Sequence, residues 1–160
     1  MKIILTRHGD AGAYTLPDHE RNLSDLGKAQ ATQTAHWLAD YAKKNGSPTL
    51  FISSPYNRAY QTCEIVKQGF PTVPHTVFEH ITPDDDAKIA IDGLYPLVED
   101  LAEDSCVVIV CHMNIIAYMA SILTGDTPES FGLAEARVFK AEVFAPNLAV
   151  EIERFSPVNH

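Results

Sequence analysis

The chain has 160 residues, 46% of them hydrophobic and 21% charged, a composition typical of a folded globular domain and not of a disordered chain. Twelve lysines and arginines against 21 aspartates and glutamates give a formal net charge of -9, and such a field repels nucleic acid and anionic membrane surfaces. We therefore expect a single domain over residues 1–160, without nucleic acid or membrane partners, in which any anion site is local.

The sequence shows neither a secretory signal nor a membrane span. The apolar run at residues 3–5 is too short for the core of a signal, and residues 115–123 fall well short of the roughly 20 apolar residues of a membrane helix. The cysteines lack metal-ligand spacing, and we expect reduced, buried thiols at Cys63, Cys106 and Cys111. These features favour a cytoplasmic location.

The first four predicted strands each precede a predicted helix. Runs of β-branched and aliphatic residues predict these strands at 2–6, 49–53, 75–79 and 106–111. In the first helix, Ser24 is the expected N-cap, and Gly46 follows the last turn. The second helix follows Pro55, the third is expected to begin at Thr82 as its cap, and the fourth covers residues 114–123.

The end of the chain predicts a different arrangement. Segments 138–145 and 148–155 have strand-like composition and predict a hairpin that turns at Pro146-Asn147. The alternating strands and helices before it require right-handed crossovers. We therefore predict a three-layer α/β/α sandwich whose sheet is mostly parallel with an antiparallel edge. Ligands bind such folds at the C-terminal ends of the parallel strands.

Arginines and histidines follow three of the predicted strands at that end. Arg7 and His8 come after the first strand, Arg58 after the second and His112 after the fourth. Guanidinium groups bind phosphate through paired, charge-assisted hydrogen bonds, and their charge keeps a nearby imidazole neutral, with a lone pair free to attack phosphorus. The sequence therefore predicts phosphoryl transfer with His8 as nucleophile and His112 as hydrogen-bond donor, requiring neither a metal nor another cofactor.

The same segments resemble the signatures of the histidine phosphatase superfamily. Residues 7–11 (Arg-His-Gly-Asp-Ala), 54–62 (Ser-Pro-Tyr-Asn-Arg-Ala-Tyr-Gln-Thr) and 110–112 (Val-Cys-His) match its three motifs in order and context. The opening motif, Arg21 and the Ile-Thr-Pro segment at 81–83 are similar to those of SixA-type phosphohistidine phosphatases within this family. The resemblance implies a single histidine phosphatase domain with a phosphoglycerate mutase-like fold.

The resemblance also implies roles for individual residues. His8 is expected to be transiently phosphorylated, and water then releases phosphate. Arg7, Arg58 and His112 are expected to surround the phosphoryl group, with Arg21 as a further phosphate ligand. SixA-type enzymes remove phosphate from a histidine on the phosphotransfer domain of a sensor kinase. The lack of a long insertion that could cover the crevice fits such a protein-borne substrate.

The general acid is the least defined part of the expected site. His80 stands where relatives commonly have a carboxylate that protonates an alcohol leaving group, with Glu79 one position earlier, so His80 is the possible acid. Phosphohistidine makes little demand on such a group, because a protonated imidazole leaves readily. Two other functions stay open: a small-molecule phosphomonoesterase or mutase acting on a phosphate ester, and an inactive phosphate-binding adaptor.

Several of these residues also have a structural explanation. Arg58 has the alternative of an ion pair with Glu64 on its own helix, and Arg21 that of a loop ion pair with Glu20. Cys111 invites a thiol-phosphatase hypothesis, but no arginine follows at the distance that such a phosphate loop needs. We expect surface positions for the remaining histidines, which are His19, His36, His75 and His160.

Overall fold

The structure, a computed structural model, describes residues 1–158. Its strands and α-helices are β1 (Lys2–Arg7), α1 (Asp25–Asn45), β2 (Leu50–Ser53), α2 (Asn57–Val66), β3 (His75–Val77), α3 (Ala87–Val98), β4 (Cys106–Cys111), α4 (Ile115–Thr124), β5 (Ala136–Lys140) and β6 (Val150–Phe155). Two short 3₁₀ turns cover Asp18–Glu20 and Lys67–Gly69. Within residues 1–158, no helix combines the length and the apolar character that a membrane span requires.

The sheet has the strand order β3-β2-β4-β1-β5-β6. The first four strands in the chain run parallel to one another, β5 is antiparallel to β1, and β6 is antiparallel to β5. The predicted mostly parallel sheet with an antiparallel edge is therefore confirmed. In this register Arg7 lies opposite Cys111 and Ser53 opposite Val110, so the loops after β1, β4 and β2 leave the sheet side by side.

Strand β4 lies at the centre of both hydrophobic cores. All six of its residues are buried, as the continuous apolar run predicted. Its alternate side chains, beginning with Val107, join the core cluster that includes Leu94 of α3 and Met119 of α4. Those beginning with Cys106 join the cluster that includes Leu38 of α1. Because successive side chains of a strand point to opposite faces, helices cover the sheet on both sides and form the three-layer sandwich.

The helix starts agree with the sequence at α1 and disagree at α3. The Ser24 side chain caps α1 by accepting a hydrogen bond from the Gly27 N–H, as predicted. The predicted cap of the third helix at Thr82 is wrong, since the cap is Asp86, four residues later, and α3 begins at Ala87. The Thr82 hydroxyl instead donates to the carboxylate of Asp85 at 2.7 Å, which closes a turn before the helix.

The terminal strands pair as expected, but their connection differs from the prediction. Strands β5 and β6 are antiparallel, and the residues between them, 141–149, form a long loop instead of a tight turn at Pro146-Asn147. The loop bonds to other parts of the protein: Asn147 N–H donates to Ile122 O at 3.0 Å, and Ala149 N–H donates to Leu123 O at 2.9 Å. The C-terminal end of α4 thus holds the backbone groups that a hairpin turn would have paired.

Candidate active site

The three strand ends bring the predicted site residues together. The backbone N–H of His8 donates to Cys111 O at 3.0 Å, which continues the β1–β4 pairing one residue beyond the strand. The rings of His8 and His112 lie 5.1 Å apart, centroid to centroid. Arg58, in the first turn of α2, places its Nε 3.4 Å from Nε2 of His8. Residues separated by more than 100 positions in the chain therefore share one cluster.

The two ring nitrogens of His8 have different hydrogen-bonding roles. Its Nδ1 lies 2.6 Å from the Gly9 carbonyl oxygen, and because a carbonyl only accepts, Nδ1 carries the hydrogen. The lone pair is then on Nε2, which accepts a hydrogen bond from Nε of Arg58 at 3.4 Å. Burial is the main cause that lowers the pKa of His8 to about 4, and the charges of Arg58, Arg7 and Arg21 act in the same direction. The ring is therefore uncharged at neutral pH and nucleophilic at Nε2.

In the His112 ring, Nε2 is the nitrogen bonded to protein and Nδ1 is not. Its Nε2 lies 2.8 Å from the Ser54 hydroxyl, which also accepts a hydrogen bond from the Tyr56 N–H at 3.2 Å. Burial, followed by the neighbouring His8 and Arg58, holds the pKa of His112 well below its ordinary value. Within residues 1–158 the buried Nδ1 of His112 has no hydrogen-bond partner. If Ser54 donates to Nε2, Nδ1 becomes a buried donor beside His8 that a phosphoryl oxygen can satisfy.

Asp18 is the ion-pair partner of both Arg58 and Arg21. Its Oδ2 lies 3.1 Å from Nη2 of Arg58, and its Oδ1 lies 3.0 Å from Nη1 of Arg21. The expected alternatives, Arg58 with Glu64 and Arg21 with Glu20, do not form among the described residues. They are wrong because the 3₁₀ turn at Asp18–Glu20 presents its first carboxylate to both guanidinium groups. The arginines are thereby held beside the histidines.

Arg7 is held by a carbonyl group from the segment before β5. Its Nη1 donates to Phe131 O at 2.9 Å, and its buried Nε has no hydrogen-bond partner within residues 1–158. Burial, followed by the charge of Arg58, lowers the pKa of Arg7, whereas the nearby Glu135 raises it. Glu135 itself forms a buried ion pair with Arg137. This ion pair fixes the segment to which Arg7 is bonded.

Gly9, the glycine of the first motif, is required by close packing. A Cβ at this position would lie 2.6 Å from the backbone oxygen of Gly27, in the first turn of α1. The Gly9 N–H donates to the Thr62 hydroxyl at 3.0 Å, and Thr62 lies one turn beyond Arg58 in α2. The loop that carries His8 is therefore packed between the two helices, with no space for a side chain.

The remaining histidines differ in their burial. His80, the possible acid, is exposed, and its ring lies edge-on to Phe78 at 5.6 Å. His19 and His36 are exposed as expected, and His160 lies outside the described residues. The surface position expected for His75 is wrong. Its side chain is only 7% exposed, because it bonds the Ser53 hydroxyl at 2.8 Å and stacks on a tyrosine ring.

The cysteines are buried and free, as predicted. Burial raises the pKa of Cys111 to about 12, so its thiol remains protonated at neutral pH. That state gives no support to a thiol nucleophile next to His112. Within the described range, no three His, Cys, Asp or Glu side chains are grouped so as to hold a metal ion.

Four residues around the cluster were not predicted as site residues from the sequence. Ser54 lies within the second motif, and a hydroxyl beside a motif histidine was the available signal. Glu135 and Arg137 have opposite charges at a spacing of two, which places both on one face where β5 begins. Asp18 gave no signal, since its segment has no periodicity and its partner Arg58 is 40 residues away.

Comparisons with known proteins agree with this arrangement. The model of the histidine phosphatase superfamily (branch 1) matches residues 3–81, a range that contains the first two motifs. A search of curated proteins finds no match. The solved structure of the protein histidine phosphatase SixA complexed with tungstate is 24% identical, with 98% of this chain and 97% of that chain covered and a TM-score of 0.83.

Further solved structures share the fold at lower identity. A SixA-type structure from Agrobacterium tumefaciens is 20% identical, covers 98% of both chains and has a TM-score of 0.77. A mycobacterial glucosyl-3-phosphoglycerate phosphatase complexed with VO3 is 19% identical, covers 98% of this chain and 99% of that chain and has a TM-score of 0.72. These likenesses confirm the phosphoglycerate mutase-like α/β fold. The chain therefore shares the fold of these structures along nearly its whole length, and residues 3–81 match the model of the histidine phosphatase superfamily.

Proposed function

We propose that this protein is a phosphatase that works through a phosphorylated His8 and that its substrate is phosphohistidine on a protein. One observation carries the proposal. The uncharged Nε2 of His8 faces Arg58 at 3.4 Å, while the unpartnered polar atoms of His112 and Arg7 lie in the same cluster. A neutral imidazole nitrogen can attack phosphorus, and the nearby unpaired N–H donors can bind the oxygens of the phosphoryl group.

The reaction follows from the two ring nitrogens of His8. The lone pair of Nε2 forms a bond to phosphorus as the bond from phosphorus to the leaving nitrogen breaks, and the leaving group keeps that electron pair. Arg58, Arg7 and His112 stabilise the charge on the equatorial oxygens. The Gly9 carbonyl, bonded to Nδ1–H, orients the ring and favours the cationic phosphorylated imidazole. Water then attacks phosphorus, which restores Nε2 and yields inorganic phosphate.

The choice of phosphohistidine rests on the lack of a proton donor at the described cluster. Asp18 is the carboxylate bonded to its arginines; burial raises the Asp18 pKa, but hydrogen bonds from Arg21 and Arg58 outweigh this and lower it. Asp18 is therefore ionised at neutral pH and cannot donate a proton. An alcohol leaving group needs that proton, whereas a protonated imidazole leaves with the proton it already carries.

The surroundings of the site also favour a protein substrate. Residues 12–17, which lead from the His8 loop to the Asp18 turn, are all exposed and do not form a packed lid. A site that stays open admits a histidine carried on a folded partner. We propose the phosphotransfer domain of a signalling protein as that partner, in the cytoplasm, where the three free thiols are stable.

A small phosphate ester is the second candidate. The fold likeness to a glucosyl-3-phosphoglycerate phosphatase shows that this architecture also occurs in an enzyme named for a small phosphorylated metabolite. A rate comparison decides between the two substrates. If sugar or nucleotide phosphates are hydrolysed much faster than phosphohistidine, the protein substrate is wrong and the phosphomonoesterase or mutase is right.

The test of the mechanism is to trap and map the phosphoenzyme. The protein is mixed with a phosphotransfer domain that carries radiolabelled phosphohistidine, quenched without acid and digested for peptide mapping. We expect the label on residue 8 and release of phosphate, and His8→Ala should lose both, with a rate lower by roughly 10³-fold or more. His36→Ala, which removes an exposed histidine of α1, is the matched control and should behave as the parent.

Two outcomes would contradict the mechanism. If His8→Ala releases phosphate as fast as the parent, residue 8 is not the nucleophile. If the parent binds the phosphorylated domain but yields no label and no phosphate, the protein is an adaptor and not a phosphatase.

A further inference from the structure

Asp18 bridges two arginines of the candidate active site, Arg21 and Arg58. Its Oδ1 lies 3.0 Å from Nη1 of Arg21, and its Oδ2 lies 3.1 Å from Nη2 of Arg58. Its backbone carbonyl also accepts a hydrogen bond from Nη1 of Arg58 at 2.9 Å. A single residue in a 3₁₀ turn thus binds both guanidinium groups, although the arginines belong to different segments of the chain.

These contacts determine which edge of Arg58 faces His8. Both terminal nitrogens of Arg58 are bonded to Asp18, so the remaining N–H group, on Nε, is the one that points to Nε2 of His8 at 3.4 Å. The Arg58 side chain is 6% exposed and cannot rotate freely within its packing. Loss of the Asp18 carboxylate removes the bond to Nη2 and leaves the backbone carbonyl of residue 18 as the acceptor for Nη1, so the Nε edge is held less firmly towards the nucleophile.

The charge of Asp18 has a second effect, which opposes the binding of phosphate. The carboxylate is 28% exposed, and its hydrogen bonds to the two arginines favour the ionised form. A phosphoryl or phosphate dianion at His8 would interact with the same two guanidinium groups. Asp18 already neutralises part of their charge, and it repels a second anion. The free phosphate product is therefore bound less tightly than two unpaired arginines would bind it.

We propose that Asp18 is a positioning residue for the reaction: it aims the Nε edge of Arg58 at His8, and its negative charge weakens the retention of inorganic phosphate. The proposal rests on the proposed function, because it takes His8 as the site of phosphoryl transfer. It predicts that loss of the Asp18 carboxylate changes turnover and phosphate affinity in opposite directions. Turnover falls because Arg58 loses its orientation, whereas phosphate affinity rises because two guanidinium groups lose their counter-charge.

The test compares Asp18→Asn with Glu20→Gln. Glu20 lies in the same 3₁₀ turn, and its carboxylate contacts His19, at 3.9 Å, and neither arginine, so Glu20→Gln removes the same charge from the same segment. Binding of inorganic phosphate is measured by isothermal titration calorimetry, and kcat is measured on phosphohistidine. For Asp18→Asn we expect phosphate to bind roughly fivefold to tenfold more tightly and kcat to fall roughly tenfold. Glu20→Gln should stay within about twofold of the parent in both.

A further variant separates orientation from charge. Asp18→Ala removes the hydrogen-bond acceptor as well as the charge, so kcat should fall further than in Asp18→Asn, while phosphate affinity rises by a similar factor. Thermal denaturation of each variant shows whether it is folded. A fall in both affinity and turnover would indicate a structural role only and would overturn the proposal, as would unchanged phosphate affinity in a folded Asp18→Asn.

The failure of this proposal is distinguishable from that of the proposed function. If the parent binds phosphate and forms the phosphoenzyme but Asp18→Asn behaves as the parent, the assignment of Asp18 alone is wrong. If the parent neither binds phosphate nor forms a phosphoenzyme, the phosphatase function is wrong, and the role of Asp18 fails with it.

Discussion

The two sides of the candidate active site hold their arginines in different ways. On the Arg7 side, the guanidinium group bonds the carbonyl of Phe131, in a segment fixed by the buried ion pair of Glu135 and Arg137. On the Arg58 side, the guanidinium group is held by the side chain and backbone of Asp18 in a surface turn. One side is anchored through the core, and the other through a single partly exposed residue.

Because of this difference, we expect changes on the Arg7 side to affect mainly the stability of the fold and changes on the Arg58 side to affect mainly the reaction. Removal of an anchor on the Arg7 side leaves a charge in the core without a partner, and the cost appears in the free energy of unfolding. Removal of the Asp18 carboxylate on the Arg58 side leaves the buried guanidinium group of Arg58 with its hydrogen bond to the Asp18 carbonyl, so the fold changes less. The carboxylate that orients that group towards His8 is nevertheless lost. Mutations that remove these anchors should therefore lower the free energy of unfolding on the Arg7 side and kcat on the Arg58 side.

The largest effect is expected from Arg58→Lys, with Arg7→Lys as its counterpart across the site. Arg58 uses Nε, Nη1 and Nη2 at once, and an ammonium group cannot reproduce that fork, so we expect kcat to fall roughly 10³-fold. Within residues 1–158 the Arg7 side chain donates one hydrogen bond, to Phe131 O, and we expect a fall of roughly 10²-fold for Arg7→Lys. Steady-state kinetics on phosphohistidine measure both. Equal losses in the two variants would contradict the comparison.

The next effect is on stability and belongs to the Arg7 side. Glu135→Gln leaves Arg137, whose side chain is 3% exposed, without its charged partner, and we expect the free energy of unfolding to fall by about 3 kcal/mol. Glu151→Gln is the control, because it breaks an exposed pair with Arg154 and should cost less than about 1 kcal/mol. Urea denaturation measures both. A Glu135→Gln protein as stable as the parent would show that the Arg7 side is not anchored through this pair.

A smaller effect is expected from His8, whose lowered pKa makes the free energy of unfolding depend on pH. Its folded pKa of about 4 lies below the ordinary 6.5, so the unfolded chain binds more protons at this residue than the folded protein does. The free energy of unfolding therefore falls as pH drops through the window from 6.5 to about 4. From about pH 7 to about pH 5, we expect the parent to lose about 2 kcal/mol more than His8→Ala. Parallel urea titrations of the two proteins would contradict the lowered pKa.

The smallest effect is expected from His80→Ala. The side chain is exposed and its ring contact is with Phe78, so kcat should change by less than about twofold. A loss of tenfold or more on phosphohistidine would revive His80 as the acid. It would also weaken the choice of phosphohistidine as substrate, since that choice assumes no enzymic acid.

The sequence was most informative where local patterns decide the structure. The continuous apolar run of β4 and the Ser24 cap of α1 have local causes, and both were predicted. The convergence of Arg58 with His8 was expected because parallel strands end at one edge of the sheet. The anchors behind those residues were not predictable in the same way. Asp18 contacts Arg58 across 40 residues, and nothing in an aperiodic loop indicates which carboxylate will face which guanidinium group.

The two mispredicted segments, at Thr82 and at Pro146-Asn147, share a physical cause. Thr82 is an acceptable helix cap by residue type, but its hydroxyl bonds Asp85 and leaves the cap to Asp86. Pro146 and Asn147 form an acceptable hairpin turn, but the backbone of the loop bonds the end of α4. In both places two arrangements suit the local sequence, and long-range or competing hydrogen bonds select one of them.

A phosphatase that relies on an imidazole should tolerate oxidants that inactivate thiol-dependent phosphatases. Peroxide attacks the thiolate form of cysteine, and Cys111, although next to His112, is fully buried with its pKa raised to about 12. Cys63 and Cys106 are buried as well. Under the proposed function, a cell exposed to hydrogen peroxide would therefore retain this dephosphorylation while its cysteine-based phosphatases are inactivated.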